Sequence, residues 1–191
     1  MITLKSEREI EAMDRAGDFL ASIHIGLRDL LKPGVDMWEV EEYVRRRCKE
    51  ENVLPLQIGV EGSIMDYPYA TCCGLNDEVA HAFPRHYILK DGDLLKVDMV
   101  LSEPIDKSVL DVSKLDFDNV AQVKKYTESY TGGLADSCWA YAIGTPSDEV
   151  KNLMEVTREA MYLGIEQAVV GNRIGDIGAA IQEYAESRGY G

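Results

Sequence analysis

The sequence contains no long apolar run. No stretch of its 191 residues approaches the about twenty consecutive apolar residues that a membrane-spanning helix needs. The opening segment, MITLKSEREIEAMDRAG, is charged and amphipathic, so it does not read as a secretory signal. Basic charge is scarce: 20 Lys and Arg stand against 34 Asp and Glu, for a formal net charge of −14. A general nucleic-acid binder must neutralise phosphates with basic side chains, and this balance argues against one. Of the four cysteines, Cys48 and Cys138 stand alone and Cys72 and Cys73 are adjacent, so neither a zinc-knuckle spacing nor a disulfide framework is present. The expectation from these absences is a cytoplasmic location, no membrane partner, and reduced thiols in or near a core. Its acidity suits solubility, or a site that collects cations.

The rest of the composition is that of a soluble globular chain, 46% apolar and 28% charged, long enough for one sizeable core or two small ones. From Ser6 to Leu31, apolar residues recur at helical spacing through Ile10, Met13, Leu20, Ile23, Leu27 and Leu30. Ser6 with Glu9 three residues on predicts a capping box, and Pro33-Gly34 a stop. A second helix is expected over about 36–51, with Met37, Val40, Val44 and Cys48 on one face. A β-rich stretch follows to about Ile143. A third helix is expected from beyond Pro146 to about Val170, with Gly171 ending it, and a fourth over 174–187. Aligning Gly34 with Gly171 sets Val40 on Ile177 and Val44 on Ile181, which suggests an internal duplication. Strands follow the first helix pair, whereas the chain stops after the second, so the second half is expected to be incomplete.

Two strands carry an unexpected charge. Leu94–Leu101, LLKVDMVL, reads as a buried strand with Asp98 at its centre, and Leu134–Gly144, LADSCWAYAIG, reads as another with Asp136 inside it. An unpaired carboxylate in an apolar interior costs several kcal/mol. If the two strands form an antiparallel hairpin, the carboxylates repel unless protonated or bridged by cations, and hard divalent ions favour such oxygen ligands. The alternative is structural: Asp98 pairs with Lys96 or caps a bulge, and Asp136 ends a turn after Gly132-Gly133. Upstream, His81 closes a turn that follows another strand and could hydrogen-bond a substrate or move a proton near neutrality. It could equally be structural. His24 and His86 have no partner legible in the sequence.

Together these pieces resemble the type I methionine aminopeptidases. The motifs are Tyr67-Pro68-x-x-x-Cys72, then Asn76 to Pro84 with Val79 and His81, Leu89-Lys90-Asp91-Gly92-Asp93, Asp98 in its strand, and Asp136-Ser137 opening the next. The resemblance implies an α+β pita-bread fold with a pseudo-two-fold duplication around two divalent metal ions (Co, Mn, Fe or Zn), whose ligands are two aspartates, a histidine and two glutamates. It implies that Asp98 chelates one metal and Asp136 bridges both. His81 would contact the substrate amide as the catalytic histidine, with Tyr67 and Cys72 lining the methionine pocket. The implied activity is removal of the initiator methionine from peptides and nascent proteins by a cytoplasmic, monomeric enzyme.

Two features depart from the pattern. Asp98 and Asp136 lie 38 positions apart where the family has a short hairpin. The intervening 103–133 segment is expected to be a polar surface insertion with some helix, open to a substrate-gating or ribosome-contact role. The chain is also expected to form a single catalytic domain, 1–191, truncated at its C-terminal end, so that the remaining histidine and glutamate ligands fall outside it and the chain alone is inactive. A prolidase-type dipeptidase and a non-catalytic pita-bread binding protein are the alternatives.

Overall fold

The computed structural model describes residues 3–191, so the first two residues of the charged opening segment lie outside it. Two compact units divide at Gly144 and Thr145. None of the described helices is long and apolar enough to cross a membrane.

The first unit opens with α1, Glu7–Leu30. Its start is the expected capping box: Glu9 N–H donates to the Ser6 hydroxyl, and the Glu9 carboxylate accepts from Ser6 N–H at 2.7 Å. The buried stripe differs from the expected one at its N-terminal end, where Ile10 and Met13 are exposed and Ala12 and Ala16 face inward. The chain comes close to this turn of α1 at Gly133: a Cβ there would lie 2.2 Å from the Ala12 carbonyl carbon, so position 133 takes glycine. Further along, Phe19, Leu20, Ile23 and Leu27 enter the core.

The second helix, α2, spans Trp38–Glu50, with Met37, Val40, Val44 and Cys48 fully buried as the spacing predicts. Beside that stripe, Glu41 is also fully buried. It pairs with Arg45 and accepts hydrogen bonds from Ala70 N–H at 2.8 Å, Thr71 N–H at 3.0 Å and the Thr71 hydroxyl at 2.6 Å. A buried carboxylate is tolerated only with such complete pairing. Here it ties α2 to the chain just ahead of the sheet.

The sheet is antiparallel, in the order β1 (Cys72–Leu75), β2 (Leu94–Ser102) and β3 (Leu134–Ala142). Strand β2 is not buried on both faces as its near-continuous apolar run suggests. Leu95, Val97, Met99 and Leu101 point into the core, while Lys96, Asp98 and Val100 share a half-buried face. The period-2 alternation of a strand is what separates them. Strand β3 lays Tyr141, Trp139 and Ser137 against His24 of α1. The Tyr141 hydroxyl lies 2.7 Å from Nδ1, the Ser137 hydroxyl 3.0 Å from Nε2, and the Trp139 ring stacks on the imidazole at 4.7 Å. That packing turns the other face of β3, with Asp136 and Cys138, away from α1.

The 103–133 segment springs from the β2–β3 hairpin. Ser102 pairs with Leu134, and the Glu103 side chain closes the base through Gly133 N–H and Arg15. The segment contains a 3-10 turn, Val112–Lys114, and the short helix α3, Val120–Thr127. It is not a purely surface excursion, because Val112, Leu115, Phe117 and Val123 join the main core. Asn52, held at φ +58°, pins it there by donating to the Ile105 and Leu110 carbonyls and accepting from Val112 N–H.

The second unit holds α4, Asp148–Glu166, and α5, Ile174–Ser187, with no strand. Helix α4 ends four residues earlier than expected, and Gly171 turns the chain at φ +103°. Gly164 lets α5 approach closely, since a Cβ there would lie 2.7 Å from the Ile181 side chain. All four cysteines are free; Cys48, Cys72 and Cys73 are buried, but Cys138 is exposed.

Burial drives the His24 pKa down to about 4, so the folded state holds this imidazole neutral. An unfolded histidine titrates near 6.5, hence the stabilisation is complete above about pH 7 and drains away as pH falls towards 4. The loss amounts to about 3 kcal/mol, and urea unfolding of His24→Gln across that range is expected to show a flatter pH slope than the parent. Truncation of Glu41 to Ala strands Arg45 and two amides, and is expected to cost about 3–5 kcal/mol by the same measurement.

Candidate metal centre

The register of the sheet builds the site. Asp98 of β2 faces Cys72 of β1 on one side and Cys138 of β3 on the other, while Val100 faces Asp136. Directly paired residues share a face, as do residues two apart on one strand, so Asp98 and Asp136 are diagonal neighbours on the same face. Among the described residues neither takes part in an ion pair, and Lys96 turns instead to the Asn76 carbonyl. The pairing of Asp98 with Lys96 is thereby excluded. Burial, and then the charge of Asp136, raise the Asp98 pKa above its ordinary value, while His81 pulls it back down. Two neighbouring carboxylates that repel are hard oxygen donors, of the kind divalent cations favour.

His81 sits at the end of a loop with two unusual corners. Asn76 and His81 both adopt left-handed backbone, at φ +54° and +55°. A non-glycine residue held there is strained by about 1 kcal/mol, and such strain clusters at functional sites. Asn76 is held by Leu94 through a backbone bond at 2.8 Å and a side-chain bond at 2.9 Å, and its amide donates to Asp93 at 3.1 Å. The far end of the loop returns to β1 through Cys73 N–H and the Ala82 carbonyl, 2.9 Å apart. The His81 side chain is left exposed, and its charge acts on Asp98.

Tyr67 and Cys72 lie next to this loop. The Tyr67 hydroxyl donates to the Thr71 carbonyl at 3.0 Å and reaches the Ala82 carbonyl at 3.3 Å. Its ring meets Phe83 edge to face at 5.2 Å, and Tyr69 completes the group. Burial raises the pKa of the Tyr67 phenol and the Cys72 thiol, so both stay protonated and present apolar, weakly polar surface. The structure therefore sets Cys72, Asp98 and Asp136 on one face of the sheet, with Tyr67 against Cys72 and the His81 charge acting on Asp98.

Two contributors escape a reading of the sequence. Gln57 donates through Nε2 to the Cys72 sulfur at 3.3 Å, and its Oε1 is a buried oxygen without a hydrogen-bond partner. It lies in an irregular loop with no motif to mark it. Glu41 holds Ala70 and Thr71, and thus the entry to β1, yet its i,i+4 spacing with Arg45 reads as an ordinary solvated pair. Among the described residues, no set of three or more His, Cys, Asp and Glu side chains converges to hold a metal ion.

Comparison with known proteins identifies the family. The pattern of Metallopeptidase family M24 matches residues 11–102 and 125–191, stepping over most of the inserted segment. Methionine aminopeptidase 1 of Bacillus subtilis is 32% identical over 98% of this chain and 63% of its own length. The structure of a methionine aminopeptidase from Streptococci is 87% identical, with a TM-score of 0.93 over 100% of this chain and 67% of that one. That of a methionine aminopeptidase from Thermotoga maritima is 30% identical, with a TM-score of 0.78 over 99% and 64%. The chain thus spans slightly less than two thirds of the length of the curated relatives it matches.

Without metal, burial and the repulsion of Asp136 outweigh the favourable pull of His81 and of Met99 N–H on Asp98. Asp98→Asn is expected to raise the stability of the chain in EDTA by about 1 kcal/mol, measured by urea unfolding at pH 7. A loss of stability would mean that Asp98 serves the fold rather than a bound cation.

Proposed function

The chain belongs to metallopeptidase family M24, with its pita-bread fold, and from that premise we propose that it forms the larger, N-terminal part of a methionine aminopeptidase acting on peptides and nascent proteins. The observation that carries the reading is the placement of Asp98 and Asp136 on one face of the sheet, with Cys72 beside Asp98 and the uncharged Tyr67 and Gln57 against Cys72.

Asp98 would hold one divalent ion and Asp136 would bridge it to a second, the remaining ligands coming from the C-terminal part that the relatives possess. When bound, two such ions supply an activated water and polarise the scissile carbonyl. The chain's own residues do the rest. Tyr67, Cys72 and Gln57 form a pocket without formal charge, suited to an unbranched, polarisable thioether. Its protonated phenol and thiol carry no charge that would favour a cationic or anionic first residue. His81 projects from its strained loop into the same region, where an imidazole can donate to the substrate amide and steady it during attack.

Such an enzyme would work in the cytoplasm, where initiator methionine becomes available on new chains, and would act as a monomer. A prolidase-type dipeptidase or a binding protein is less well supported, because the relatives at 30% identity and above are methionine aminopeptidases.

The test is made on the full-length protein. Asp136→Asn is expected to lower metal-dependent release of methionine from a Met-Ala peptide by at least about a hundred-fold while circular dichroism stays unchanged. Unchanged turnover would contradict the bridging role.

A further inference from the structure

The inserted segment touches the pocket through a short relay of contacts. Helix α3 rests on the turn at Ile58-Gly59, where Gly59 takes φ +90°. A Cβ on Gly59 would lie 2.7 Å from Lys124 Cβ and 2.9 Å from Lys124 Cα, so the helix backbone lies directly on the turn. The Thr127 hydroxyl donates to the Ile58 carbonyl at 3.1 Å, and Lys124 Nζ pairs with Asp66 at 2.8 Å. Val123 anchors α3 from its buried side.

The same turn holds both backbone groups of Tyr67. Gly59 N–H donates to the Tyr67 carbonyl at 2.8 Å, and Tyr67 N–H donates to the Val60 carbonyl at 2.8 Å. Gln57 lies on the turn as well, and its carbonyl accepts from Val60 N–H at 3.1 Å. Tyr67 then reaches the Ala82 carbonyl, one residue from His81. A second line runs from Asp118, ahead of α3, to Arg45, which donates to both Glu41 and the Pro68 carbonyl.

We propose that α3 is a positioning element for the side-chain pocket: by clamping the Gln57–Val60 turn it sets where Tyr67 and Gln57 stand against Cys72. This rests on the reading of those residues as the methionine pocket. The inserted segment is then a brace built into the recognition of the first residue. No separate gate is required. Both the contacts and their order favour this. Each contact of α3 named above falls on the turn or on Asp66, the residue before Tyr67, and Asp118 extends the hold to Pro68 on the other side.

The experiment uses the full-length protein with the double variant Lys124→Met, Thr127→Val, which removes both polar contacts and keeps Val123 packed. KM for a Met-Ala peptide is expected to rise about five-fold with kcat changed less than about two-fold, a split that uniform loss of stability would not produce. Amide exchange should speed up about ten-fold across residues 57–72 and stay unchanged in β2 and β3. The charge swap Asp66→Lys with Lys124→Asp should bring KM back to within about two-fold of the parent, where either single reversal does not. An unchanged KM, unchanged exchange in 57–72, or exchange rising equally throughout the first unit overturns the proposal. Should the parent protein release no methionine at all, the proposed function fails, and the exchange pattern alone still decides whether α3 braces this turn.

Discussion

The register of β2 against β3 is the constraint on which the site depends. Val100 stands opposite Asp136 and Cys138 opposite Asp98, which places the two carboxylates on one face and one step apart. A slip of one residue would send one of them into the core. That slip is prevented on the opposite face, where Leu95, Val97, Met99 and Leu101 are fully buried and Tyr141 is locked to His24. The hydrophobic face thus enforces the position of the charged one. The repulsion between the carboxylates is held in place by packing that does not touch them.

The other half of the site relies on a second buried polar group. Glu41 receives two backbone amides and a hydroxyl from Ala70 and Thr71, and Arg45 neutralises it. This arrangement delivers the chain into β1 with Cys72 opposite Asp98. Asp98 and Asp136 are therefore placed by the sheet, and the entry to Cys72 by the Glu41 carboxylate. Tyr67 joins the two through the Thr71 and Ala82 carbonyls.

Much of this was legible in the sequence because it is local. The Ser6–Glu9 cap, the apolar face of α2, the position of α5 and the three strands follow from spacing and turn residues alone. The charge inside LLKVDMVL was legible as a conflict, and the motif order around it gave the family. What could not be read depends on contacts between distant positions. His24 finds Tyr141 and Ser137 more than a hundred residues away. Glu41 looks like a surface partner of Arg45 until the segment before β1 folds over it. The 103–133 segment is polar on average, yet four apolar residues at irregular spacing carry it into the core, and irregular spacing gives no periodic signal. Ile10 and Met13 fit the helical stripe, yet Ala12 and Ala16 are the residues buried there.

The central claim is that Asp98 and Asp136 feel each other across the sheet. Carbon-13 NMR titration of the Asp98 carboxyl in metal-free protein, with and without Asp136→Asn, measures that directly. The account predicts a raised Asp98 pKa in the parent that moves part of the way back towards the ordinary carboxylate value in the variant, burial keeping the remainder. An Asp98 titration that is the same in both proteins would contradict it.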